Sequence, residues 1–214
     1  VIRTIVKYSQ GRAFGRVARE GREGPLAVLM NPPFFEPFPR STVSRQGLIY
    51  VARGYPYVVD VFDLDGRLVR SIRRTYEPIP ITDAHIAELL GHVNTHYDTI
   101  KGREMNLRKR YEDQATYPRI GFLPVTGAVM TDVNGALWVQ RVDIVNNPVD
   151  VEWSRGKVRP TYWDVYDSTG VFRHMVRFPP RFTLRAVRDS MAFGVGRDEF
   201  DVQYIVGYRI RNRE

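Results

Sequence analysis

Three arginines that follow short apolar segments could together bind an anion. Arg53, Arg141 and Arg197 each come at or just after the end of such a segment. The guanidinium group carries a fixed fork of donors that matches the geometry of a carboxylate or a phosphate. If the three segments are equivalent strands, these arginines would extend from one side of the fold and favour an anionic ligand. Nearby acids could instead neutralise them: Asp143, Asp198 and Glu199.

Three further residues complete the candidate ligand-binding set. Tyr55 lies two residues after Arg53, and Trp153 and Arg155 lie within the long polar segment 143–160. An aromatic ring and a cation in a loop can together anchor a ligand. The alternative for Trp153 is that its ring folds back onto the body of the protein.

Three of the four histidines fall in one segment, where they could bind a metal ion. His92 and His96 are one helical turn apart, a spacing at which two imidazoles can share a metal, and Glu88 could add an oxygen ligand. His85 lies on the same side of the predicted helix. However, polar residues beside an apolar stripe usually form a solvated flank, and the H-E-x-x-H motif is absent. We therefore predict neither a metal nor another cofactor.

The sequence contains none of the common catalytic motifs. It has no G-x-S-x-G elbow, no P-loop and no dinucleotide-binding fingerprint. Aspartates occur in pairs at 63/65 and 164/167 within predicted hairpins. There aspartate favours turn geometry or protects an edge strand, and calcium binding is the alternative.

A repeated hairpin predicts the elements that carry these residues. Segment 57–74 reads as strand, glycine-containing turn and strand, and it recurs at 162–177. Two more strands precede each copy, within 41–52 and 127–140. A third set at 184–210 contains three strands. The repeat predicts an all-β fold built from four-stranded antiparallel units.

The motifs of this repeat resemble those of a known family. The D-x-x-G-x-L-W-V motif at 132–139 and the D-V-F/Y-D-x-x-G motif of the hairpins are similar to those of bacterial six-bladed β-propellers of the NHL-like or TolB-like type, as is the ending at 194–202. The resemblance covers nearly the whole chain. It implies blades around a central axis and says little about chemistry. It divides the chain into the end of a blade at 1–19, full blades at 41–74 and 121–178, and a last blade lacking its closing strand at 181–210.

The strand count falls short of a six-bladed ring. About three to three and a half blades are visible, so the resemblance implies the C-terminal part of a longer protein with a periplasmic or extracellular location. A small four-bladed ring is the alternative. Open strand edges in such an arc would let the chain associate with itself.

Long connections interrupt the β pattern. Apolar residues at helical spacing predict a helical insertion at 82–114, with Thr82 or Asp83 as its N-cap. A coiled coil and a membrane-surface helix are disfavoured because the apolar stripe is short and the polar face has mixed charge. The proline-rich segment 20–40, this insertion and the loop 143–160 are expected on the same side of the fold, where propellers often bind ligands.

The composition narrows the classes of partner. The net charge is +8, but 28 arginines and 4 lysines are spread along the chain, which argues against a nucleic-acid surface. Cysteine is absent, so disulfides and thiolate metal sites are excluded. No apolar run is long enough for a transmembrane helix.

These patterns favour a non-catalytic binding module that recognises an anionic ligand or a protein partner on the side carrying the long loops. The competing hypothesis is a metal-dependent propeller hydrolase, similar to a lactonase, or a lyase with its site on the central axis. The predicted inner strands 41–44, 127–131 and 184–187 contain no Asp, Glu, Asn or His. Their composition favours binding.

Overall fold

The computed structural model describes residues 39–85, 122–142, 160–200 and 202–211. Within these residues the chain is all-β, apart from the first turn of a helix at 83–85. The predicted end of a blade at 1–19 lies outside the described residues. So do nearly all of the 20–40 connection, the rest of the helical insertion and most of the 143–160 loop.

The described residues contain eleven strands, which form three separate antiparallel sheets. The first sheet contains β1 (Arg40–Val43), β2 (Ile49–Ala52), β3 (Val58–Phe62) and β4 (Leu68–Arg73). The second contains β5 (Thr126–Thr131), β6 (Leu137–Arg141), β7 (Thr161–Tyr166) and β8 (Phe172–Phe178). The third contains β9 (Phe182–Arg188), β10 (Met191–Arg197) and β11 (Gln203–Arg209). Each sheet follows chain order, so the all-β antiparallel prediction is confirmed. The arrangement of these sheets as propeller blades stays a prediction.

One turn design joins most of the hairpins. In the turn after β5, Asp132 Oδ1 accepts hydrogen bonds from the backbone N–H groups of Asn134 and Ala136, each at 2.9 Å. Gly135 takes the left-handed conformation of this turn, with φ of +82°. The same aspartate-to-backbone bonds recur at three other turns, which begin at Asp63, Asp167 and Asp198. The D-x-x-G motif is therefore a local turn signal that stops one strand and starts the next.

The first and second sheets pack face to face. Residues that alternate along β3 and β7 point to opposite faces, and Val59 and Val61 of β3 pack in one buried cluster with Leu137, Val139 and Tyr166 of the second sheet. Full burial of each such side chain contributes about 1.5–3 kcal/mol.

The second and third sheets form the other core. Trp138 and Trp163, on the opposite face of the second sheet, cluster with Phe182, Val187 and Ala192 of the third. The second sheet is thus buried on both faces, and the three sheets stack in chain order.

The two ends of this stack differ in their connections. The turns after β1, β3, β5 and β7 lie at one end, which we call the turn edge, and the connections from β2 to β3 and from β6 to β7 lie at the other, the loop edge. The first two sheets approach each other most closely along β1 and β5. At the loop edge, the backbone N–H of Val125 donates to the Gly54 carbonyl at 2.8 Å, and the Gly54 N–H donates to Thr126 Oγ1 at 3.1 Å.

The described helical turn has a capped start. Thr82 Oγ1 accepts from the His85 backbone N–H at 3.4 Å, while the Thr82 N–H donates to His85 Nδ1 at 3.1 Å. These reciprocal bonds form a capping box with histidine in place of the usual acid or amide. Thr82 is the N-cap, and the His85 ring serves the cap. No helix within the described ranges is long and apolar enough to cross a bilayer.

Candidate functional site

The first strands of all three sheets converge on one cleft at the turn edge. Its volume is about 200 Å³. The end of β1 and its turn, the end of β5 and its turn, and the middle of β9 supply its walls. The lining residues are Val43, Arg45, Met130, Thr131, Asp132, Val133, Arg185, Ala186 and Val187. Thr131 Oγ1 donates to the Val43 carbonyl at 3.5 Å and links two of these walls.

The cleft combines apolar side chains with two exposed cations. Arg45 and Arg185 come from different sheets, and neither has an acidic partner among the residues that the structure describes. Both can therefore point several N–H donors at a ligand.

The one carboxylate among the described lining residues is held by its own turn. Asp132 Oδ1 binds the two backbone N–H groups of that turn, and its Oδ2 accepts from Trp138 Nε1 at 3.4 Å. These bonds fix Asp132 in place. With two guanidinium groups and one carboxylate, the lining residues carry a net charge of +1, which favours an anion over a cation.

The loop edge, where the candidate ligand-binding residues were predicted, is built differently. Arg53 donates from Nε to Asp60 Oδ2 at 2.7 Å, and its NH2 group lies 2.6 Å from the same oxygen. The hydroxyl of Ser71 donates to Asp60 Oδ1 at 2.7 Å. An arginine bonded in this way to a buried carboxylate serves the fold. Arg53 is therefore paired with an acid, which was the alternative to ligand binding. The acid is Asp60, which was not among the predicted partners.

Tyr55 belongs to an aromatic cluster at the loop edge. Its ring stacks on Phe122 with centroids 5.1 Å apart and meets Tyr76 edge-on at 6.2 Å. Beside this cluster, the backbone N–H of Leu123 donates to the Ile79 carbonyl. Tyr55 thus helps to pack the segment before β5 against the first sheet.

The other two candidate arginines lie on differently oriented faces. Arg141 shares a face of β6 with Val139, which packs against the first sheet, and its NH1 group contacts Met175 Sδ at 3.4 Å. Arg197 shares a face of β10 with Phe193, which is exposed on the side away from the second sheet. The strand alternation therefore does not give Arg141 and Arg197 matching orientations.

The remaining candidates cannot be placed. Trp153 and Arg155 lie outside the described residues, as do the metal candidates Glu88, His92 and His96. Within the described ranges, no group of three or more His, Cys, Asp or Glu residues is arranged to hold a metal ion.

A buried polar cluster joins the first two sheets. Asp164 of β7 is fully buried, accepts from the Tyr57 hydroxyl at 2.8 Å and forms an ion pair with Arg74. The Tyr166 hydroxyl donates to that of Tyr57 at 3.1 Å. Both Tyr57 and Arg74 belong to the first sheet's part of the chain. Tyr57 directly precedes β3, and Arg74 directly follows β4. The cluster is therefore an inter-sheet connection.

Asp60 and Asp164 occupy the same position in their sheets, three residues before the turn aspartate. The expectation that Asp164 shapes a turn or protects an edge is wrong, because its side chain is buried between two sheets. Asp63 and Asp167 do form the turns. The sequence signal for the burial of Asp60 and Asp164 was a carboxylate in the middle of each of two equivalent apolar strands. No sequence signal indicated the roles of Tyr57 and Arg74.

Burial also shifts the acidity of these tyrosines. It raises the pKa of Tyr57 far above the ordinary value near 10, and the neighbouring Tyr166 and Asp164 add to the increase. Burial likewise raises the pKa of Tyr76 to about 12, with a further contribution from Tyr55. For Arg74, burial acts to lower the pKa, but the bond and charge of Asp164 outweigh it and the net change is upward.

We expect the fold to lose stability under alkaline conditions. A tyrosine whose pKa is higher in the folded state stabilises the fold fully below pH 10, and this contribution declines as pH rises from 10 through the folded value. Measuring the free energy of unfolding by urea between pH 8 and pH 11 checks this. Tyr57→Phe should reduce the decline, whereas Tyr204→Phe, on the half-exposed ring of β11, should leave it unchanged. Equal slopes for wild type and Tyr57→Phe would contradict the assignment.

Neither a scan against protein-family models nor a search of curated proteins finds a match to this chain.

Proposed function

We propose that this chain is a non-catalytic binding module of the β-propeller type that recognises a small carboxylate ligand in the turn-edge cleft. The observation that carries the proposal is that Arg45 and Arg185 both line one cleft together with apolar side chains. Apolar side chains such as Met130 and Val187 suit the hydrocarbon part of a ligand, and the guanidinium groups suit its carboxylate.

The volume of the cleft limits the size of the ligand. At about 200 Å³, it is below the roughly 300–1,000 Å³ that drug-sized ligands require. A short-chain carboxylic acid therefore fits the proposal better than a nucleotide or an oligosaccharide.

The test is a calorimetric titration with short-chain monocarboxylates and dicarboxylates, together with their uncharged amides. Arg45→Gln and Arg185→Gln should each weaken binding of the best acid about 10- to 100-fold, because a hydrogen bond to a charged group contributes about 1.5–3 kcal/mol. The amides should bind weakly to all variants. Arg73→Gln, which removes an exposed arginine of β4 far from the cleft lining, is the matched control.

Two results would count against the proposal. Binding that survives the Arg45→Gln and Arg185→Gln double substitution would place the ligand elsewhere, for example at the loop edge near Arg141. Hydrolysis of a lactone that stops on addition of a chelator would favour the competing metal-dependent enzyme.

The periplasmic or extracellular location is part of this proposal and rests on the family resemblance alone.

A further inference from the structure

Over its first six residues, the outermost strand of the third sheet lacks the charged residues that β4 and β8, the outermost strands of the other two sheets, carry within their length. Edge strands usually resist pairing by means of charged side chains. Arg70 and Arg73 lie within β4, and Arg173 and Arg177 lie within β8. In β11, the six-residue run from Gln203 to Tyr208 has no charged residue.

The side chains of this run are also exposed on both faces. Ile205 is 88% exposed, Tyr204 is 49% exposed and Tyr208 is 38% exposed. Among the described residues, β11 pairs with β10 on one side and has no strand on the other. The third strands of the other sheets, β3 and β7, are each covered by a fourth strand. A strand with an uncharged, β-prone run and an open edge is a template for a further strand.

The charges at the two ends of β11 indicate which strand fits. Glu199 lies in the turn before the strand, and Arg209 and Arg211 lie at its end. Within the described ranges, none of these three side chains forms an ion pair. In an antiparallel pair of two β11 strands, the acidic end of one strand lies beside the basic end of the other. A parallel pair would place like charges together.

We propose that two copies of this chain pair antiparallel through β11 about a two-fold axis. The pairing makes one continuous six-stranded sheet from the two third sheets and covers the exposed Ile205 of each copy. Its contacts are reciprocal, as a two-fold interface requires. Backbone hydrogen bonds between the two edge strands supply the affinity, and the charges at the strand ends select the antiparallel direction.

Sedimentation of the whole chain over a concentration series tests the pairing. Wild type should show a monomer–dimer equilibrium. Ile205→Lys should raise the dimer dissociation constant severalfold, since two like charges would lie opposite each other across the paired strands. Val69→Lys is the matched control, because Val69 is half-exposed on β4, an edge that already carries arginine. A wild type that stays monomeric at every concentration, or an Ile205→Lys dimer as strong as wild type, would overturn the proposal.

A charge exchange tests the direction. Glu199→Arg and Arg211→Glu should each weaken the dimer, and the double variant should recover most of the wild-type affinity. Additive weakening in the double variant would overturn the antiparallel arrangement.

Because the chain has no cysteine, Ile205→Cys provides an independent readout. Oxidation should link two copies of the Ile205→Cys variant through residue 205. It should not link copies that also carry Glu199→Arg.

Discussion

Replacing Asp164 with alanine is expected to lower the free energy of unfolding by about 3–5 kcal/mol, the range for breaking a buried ion pair. The Asp164 side chain is fully buried, and it accepts the Tyr57 hydroxyl and pairs with Arg74. Without it, a guanidinium that is two-thirds buried loses its counter-charge. The Tyr57 hydroxyl loses its acceptor as well.

Urea unfolding followed by fluorescence measures this loss, with Asp65→Ala as the control. Asp65 is an exposed acid that lies 3.9 Å from the exposed Arg67. Its removal should change stability by about 0.5 kcal/mol or less. If Asp164→Ala costs no more than Asp65→Ala, the polar cluster does not hold the two sheets together.

Asp60 offers a second comparison because its position in the repeat is the same. Two of its partners, Arg53 and Ser71, belong to its own sheet, whereas Tyr57 and Arg74, which bind Asp164, come from the neighbouring sheet. Arg141 occupies the place of Arg53 in the second sheet, but Arg74 already pairs with the aspartate there. The same sequence position thus serves a local bond in one sheet and an inter-sheet bond in the next.

Strands and turns could be predicted because their signals are local. The strand expected at 127–131 is observed as Thr126–Thr131, and that expected at 41–44 as Arg40–Val43. Alternating side chains and the D-x-x-G turns act within a few residues. The all-β class follows from these signals without knowledge of tertiary contacts.

The candidate site could not be predicted in the same way. The cleft depends on which strands converge, and Arg45 and Arg185 read in sequence as ordinary turn and strand residues. The pairing of Arg53 with Asp60 depends on two strands of one sheet presenting both residues on one face. Tyr57 and Arg74 gain their role only through Asp164, about a hundred residues further along the chain. Side-chain partners are set by packing, which a local pattern does not encode.

Gly194→Ala is the second substitution with a large expected effect, and it tests the join between β9 and β10. A Cβ atom at Gly194 would lie 2.2 Å from the Thr183 carbonyl oxygen and 2.5 Å from Phe182 Cζ. The pairing register of these strands shifts between Phe193 and Gly194, which brings the two backbones together there. Phe182 is buried in the core between the second and third sheets. Neither neighbour can move without a loss of pairing or of packing.

We therefore expect Gly194→Ala to cost about 3 kcal/mol or more, at the upper end of the range for overpacked sites. Gly207→Ala in the next strand is the matched control. Its Cβ would lie 3.4 Å from Phe193 Cε1 and 3.5 Å from Met191 Cε, which is ordinary contact. Because alanine also loses less backbone entropy than glycine on folding, Gly207→Ala should be neutral or stabilising by up to about 1 kcal/mol. Equal stability of the two variants in urea unfolding would show that the third sheet does not pack through Gly194.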